Sequence, residues 1–93
     1  AANHARMVVI ATQGAGDLDA LRTALASDAD YIGFVASRRK FTTLAARLDA
    51  TPETLARVHS PAGLAINAVT PEEIALSILA QIVQHRRQGQ RQT

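Results

Sequence analysis

Met7-Val8-Val9-Ile10-Ala11-Thr12-Gln13-Gly14-Ala15-Gly16-Asp17-Leu18 is the stretch that decides the fold. Residues Met7 to Ala11 are apolar without alternation, the pattern of a strand covered on both faces of a parallel sheet. The turn from Gln13 to Gly16 follows, and Asp17 stands where it would cap a helix with apolar positions Leu18, Leu21, Ala24 and Leu25. Beyond Asp28-Ala29-Asp30 a second apolar run extends from Tyr31 to Val35. Residues 7–35 therefore predict one right-handed βαβ crossover with parallel strands.

Working outward, Phe41, Leu44, Ala45 and Leu48 recur at helical spacing and predict a helix ending near Ala50. Thr51-Pro52 pairs a cap with a proline at the first helical position, for a short helix over Pro52 to Arg57. Residues 58–69 are ambiguous and read as a loop holding a short extended piece at Leu64-Ala65-Ile66. Thr70-Pro71-Glu72-Glu73 is a capping box, opening a long helix whose stripe is Ile74, Ala75, Ile78, Leu79, Ile82 and Val83. His85, Arg86 and Arg87 suit its negative end, Gly89 is expected to stop it, and residues 1–5 and 89–93 are expected to be flexible ends. The fold class is α/β, a small three-layer half-domain with a short parallel sheet flanked by helices.

With 93 residues the chain reads as one small domain whose core must be aliphatic, since aromatic residues make up only 3%. Ten basic against eight acidic residues, without interleaved aromatics for stacking bases, argue against a nucleic-acid binder. The absence of cysteine excludes a disulfide framework, a thiolate metal site and a cysteine nucleophile, and is compatible with a reducing cytoplasm. No apolar stretch approaches the roughly 18 to 20 residues of a membrane span, and no signal-peptide layout is visible, so the expected location is cytoplasmic.

Ser37-Arg38-Arg39-Lys40 sits between the second strand and the next helix and puts three cations where a helix begins. A helix N-terminus already carries about half a positive charge, so this placement calls for a compensating anion such as a phosphate, with a solvated turn as the plain alternative. Gly14-Ala15-Gly16 is half a dinucleotide-binding fingerprint, but position 19 is Asp19 instead of glycine and the helix start is acidic, which favours a tight turn and cap. An arginine after a second strand can also take the 2′-phosphate of NADP, which keeps an NADP-binding oxidoreductase fragment as an alternative. His59 reads as structural from its local sequence, while His4 and His85 read as solvated near the chain ends. No spacing suits a side-chain metal site, and no acid–base constellation assigns a catalytic residue, which favours a binding module over an enzyme.

Thr12 after the Val-Val-Ile strand, Tyr31-Ile32-Gly33, Ser37-Arg38-Arg39-Lys40, Leu55 to Pro61, Gly63-Leu64-x-Ile66 and Thr70 to Ile78 together resemble the XdhC/CoxI family. These are accessory proteins of xanthine dehydrogenase and carbon monoxide dehydrogenase, and the resemblance is to the latter half of their C-terminal Rossmann-like domain. It implies a role in maturing molybdenum hydroxylases by binding the molybdenum cofactor, a pterin bearing a phosphate, and delivering it. It also implies cofactor contacts from Ser37, Arg38, Arg39 and Lys40, from Thr12, Gln13 and Gly14, and from the loop carrying His59 and Gly63. Two departures bear on those contacts: Gln13-Gly14 stands where the family tends to have His and Asp or Asn, and Ala36 replaces a glycine.

The family's opening glycine-rich strand and helix have no counterpart before Met7. Two strands and several amphipathic helices then leave a sheet edge and helix faces to be covered. The expected partners are molybdenum hydroxylase subunits, a complementary XdhC-like chain, or a second copy in a homodimer.

Overall fold

A computed structural model describes residues 6–90 and, within the last helix, the side chains up to residue 88. Strand β1 (Met7–Ile10), helix α1 (Asp17–Ala26) and strand β2 (Tyr31–Phe34) form the expected crossover, with Met7 opposite Tyr31 and Ile10 opposite Phe34 in parallel register. Helices α2 (Arg38–Ala45) and α3 (Pro52–Leu55) precede strand β3 (Val58–His59), and α4 (Pro71–Gln90) closes the chain. The sheet order is β1-β2-β3, all parallel, in a Rossmann-like α/β arrangement.

Alternation divides the sheet residues between two faces. Ile10, Ile32, Phe34 and Val58 join Leu21 and Ala24 of α1 in a buried apolar core, against which Phe41, Leu44 and Leu55 pack. Tyr31, Gly33 and His59 lie on the other face, beneath α4. Glycine is needed at position 33, because a Cβ there would stand 2.8 Å from the Tyr31 hydroxyl.

Several expectations need correction. Asp17 is not the cap of α1; Gly16, in the left-handed region at φ 81°, occupies that position without a side-chain bond. Helix α2 ends at Ala45, earlier than the apolar spacing to near Ala50 suggests, and α3 ends at Leu55 instead of Arg57. The extended piece of the 58–69 segment is Val58–His59 and not Leu64 to Ile66, because only the former reaches the β2 edge, pairing with Ile32 and Gly33. Gly89 does not stop α4, which continues to Gln90. Ala75 is exposed and Leu79 and Val83 are 60% and 53% exposed, so these three do not belong to the buried face of α4. The expectation of flexible ends falls otherwise on residues 1–5 and 91–93, which lie outside those described, as does His4.

Candidate binding edge

The loops that follow the strands meet at one edge of the sheet, where open parallel sheets collect ligands. In the β1–α1 loop, Gln13 and Gly14 have φ of 55° and 98°, a left-handed pair that turns the chain sharply. The buried carboxylate of Asp17 organises this loop by accepting from the Thr12 hydroxyl and, at 3.3 Å, from the Gly14 N–H. Its other oxygen lies 3.0 Å from the Lys40 ammonium. Lys40 therefore belongs as much to the first loop as to the second, and the pair ties the starts of α1 and α2 together.

Ser37 caps α2 by accepting from the Lys40 N–H at 3.0 Å. The N–H groups of Arg38 and Arg39 lie in the first helical turn, where no intrahelical acceptor is within reach. No acidic residue occupies that turn, and both guanidinium groups are exposed without an ion pair among the described residues. Of the three cations read from the sequence, one is neutralised internally and two face outward. That surplus fits a multiply charged oxyanion held by backbone N–H groups and guanidinium forks.

The β3–α4 connection continues the edge. The Ala62 N–H donates to the Phe34 carbonyl at 3.1 Å and the Ser60 hydroxyl to the Ala36 carbonyl at 3.1 Å, so this loop is fastened to the end of β2. Gly63, at φ 102°, passes so close to α4 that a Cβ would overlap the Ser77 hydroxyl. Between this loop, residues 35–37 and α4 opens a cleft of about 460 Å³, with Ser37, Pro61 and Gly63 on its walls. A second hollow of about 380 Å³ lies across the loops, between Gly14, Asp17, Lys40 and Arg47.

Thr12 and Gly14 are thus joined to Lys40 through Asp17, with Gln13 in the turn between them, while Ser37 and Gly63 share the larger cleft. His59 lines neither of these two hollows. Its ring stacks on Tyr31 at 4.8 Å between centroids and meets His85 edge-on at 5.6 Å. Burial, followed by repulsion from His85, lowers the His59 pKa below its ordinary value. His85 is half-buried in this ring cluster and not solvated as its position near the chain end suggests. The Tyr31 hydroxyl donates to Gln81 Oε1 at 2.6 Å, and the same oxygen accepts from the Gly63 N–H at 2.9 Å. Gln81 escaped the reading of the sequence because its partners are distant along the chain, and Asp17, read there as a helix cap, instead holds the first loop and pairs with Lys40. Among the described residues no group of three or more histidine, aspartate or glutamate side chains is arranged to hold a metal ion.

Three parallel strands in the order β1-β2-β3, with a glycine turn and a cationic helix start at one edge, define a Rossmann-like α/β domain. The family model for the XdhC Rossmann domain matches residues 1–82, and the chain belongs to that family. It is 40% identical over 80 residues to the uncharacterized protein YqeB of Escherichia coli (strain K12), covering 83% of this chain and 15% of that protein. A solved structure described as a xanthine dehydrogenase from Bacillus halodurans superimposes with a TM-score of 0.73 at 32% identity, covering 88% of this chain and 24% of the other. The chain thus spans less than a quarter of the length of either relative.

Proposed function

We propose that this chain acts in the maturation of molybdenum hydroxylases, as a binding module and not a catalyst, holding the phosphate of the molybdenum cofactor at the start of α2. The observation that carries this reading is the uncompensated pair Arg38 and Arg39 beside a cleft of about 460 Å³, on a chain of the XdhC family. A cleft of that size is in the range that accepts a fused heterocycle. Its walls of Val35, Ala36, Leu64 and Ile74 suit a flat pterin face, and Ser37 supplies a hydroxyl at the rim. The cofactor brings the metal and its sulfur ligands; the chain supplies the anion clamp and the apolar wall. Partners of this reading are the molybdenum hydroxylase subunits that receive the cofactor, in the cytoplasm.

Titration of the protein with molybdopterin and, separately, with NADPH tests the proposal. Molybdopterin should bind and NADPH should not; the reverse would assign an NADP-binding fragment, and binding of neither a structural subunit. In the double variant Arg38→Ala/Arg39→Ala, affinity for the pterin should fall by about 1.5 to 3 kcal/mol for each charge-assisted hydrogen bond lost. Thermal stability should be unchanged or slightly higher, because the helix start loses repulsion. Lost stability with unchanged affinity would overturn the assignment.

A further inference from the structure

Helix α4 carries two opposed faces. Ile74, Ser77, Ile78, Gln81 and His85 are buried or half-buried on the side of the sheet. At about 100° per residue, Leu76, Leu79 and Val83 fall on the opposite side, and they are 59%, 60% and 53% exposed. Their spacing of three and then four residues is that of a helix-pairing seam. The same line runs through Glu72 toward the start of the helix and through Arg86 toward its end. Both are exposed, and neither forms an ion pair among the described residues.

The position of this line limits what can cover it. Among the described residues β1 pairs only with β2, so its outer edge is open, and Val9 is 45% exposed on the α4 side. An added strand and helix filling that space would lie beside α4 in the same layer and touch its flank. The Leu76–Leu79–Val83 line points away from the sheet and would stay in water. What covers it therefore arrives from outside that layer.

We infer that this line is a self-association surface, on which two copies of the chain pair through antiparallel α4 helices about a two-fold axis at Leu79. On that axis Leu79 of each copy meets Leu79 of the other, and Leu76 of each lies beside Val83 of the other. Glu72 of each copy then stands opposite Arg86 of the other, since both are seven residues from the axis. A parallel pairing would set like charges against each other, so the charges select the antiparallel, isologous arrangement. One helix pair is a small interface, and the dimer it forms is expected to dissociate in the micromolar range.

Sedimentation equilibrium on the 93-residue chain tests the assignment. A monomer–dimer equilibrium is expected between about 1 and 200 μM. Leu79→Glu should weaken it by at least about tenfold, with the far-ultraviolet circular dichroism unchanged. Glu72→Arg and Arg86→Glu should each weaken it about threefold or more, and their combination should restore affinity to within about twofold of the parent. These charge changes lie in solvent, so they carry the test even if Leu79→Glu fails to fold. A monomer throughout that range would overturn the proposal, as would a dimer indifferent to all three single substitutions or one broken only by Val9→Lys at the sheet edge.

Discussion

The two faces of the sheet are built on different principles. On one, Ile10, Ile32, Phe34 and Val58 close against α1 with no polar side chain among them, so the packing is apolar and largely non-directional. On the other, Tyr31 and His59 meet Gln81 and His85 of α4 through a hydrogen bond and ring contacts. From its buried apolar area, the first face is expected to supply most of the stability. The polar face fixes where α4 sits, because a hydrogen bond or a stacked ring tolerates less sliding than a leucine does. That placement in turn sets the width of the cleft between the Gly63 loop and the start of α2.

The sharpest way to break this contrast is to open a hole in the apolar face. Phe34 is 1% exposed and meets Phe41 edge-on at 6.2 Å. Phe34→Ala should cost about 3 to 5 kcal/mol in urea denaturation, a large share of what a domain this small possesses. A loss below about 1 kcal/mol would show that this face does not carry the stability assigned to it.

A smaller loss is expected on the polar face, and it should have a different character. Gln81→Leu removes the acceptor shared by the Tyr31 hydroxyl and the Gly63 N–H, leaving the donors of a buried tyrosine and a half-buried glycine unpaired. The cost should be about 2 to 3 kcal/mol. Adding Tyr31→Phe removes one of the orphaned donors, so the double variant should be more stable than the sum of the two single losses predicts. Strict additivity would mean that the Tyr31–Gln81 bond does not organise this face.

The contrast also separates what could be read along the chain from what could not. The apolar face was legible, because continuous apolar runs and helical spacing report it locally. So were the caps of α3 and α4, though not that of α1: Thr70 and Glu73 exchange the bonds of their capping box at 3.0 and 3.2 Å, and Thr51 accepts from the Thr54 N–H at 3.1 Å. Strand β3 was hidden, since two residues make no run and Val58 becomes a strand only by pairing with Ile32. The ion pair of Lys40 with Asp17 was hidden for a similar reason. The sequence shows the charge of Lys40, but only the fold shows that it turns back to the first loop. Six apolar positions on α4 read as one buried stripe, although they are too many for a single face of a helix packed on one side. The candidate edge was therefore legible in composition, as a serine followed by three cations, and illegible in how those cations are divided.

The smallest effect, and the most specific to the polar face, concerns pH. The folded chain holds His59 below its ordinary pKa of 6.5, first because the ring is partly buried on Tyr31 and second because His85 repels a second positive charge. A depressed pKa means that the unfolded chain binds the proton more readily, so stability is fully present above about 6.5 and declines as the pH falls through the lowered folded value. Urea midpoints should therefore fall between pH 7.5 and 5.5 for the parent, and His59→Phe should flatten that dependence while keeping a ring against Tyr31. His85→Gln should flatten it only in part, since burial of His59 remains the larger cause. An unchanged slope in His59→Phe would assign the acid sensitivity elsewhere. A slope removed equally by His85→Gln would make repulsion between the two rings, and not burial, the dominant cause.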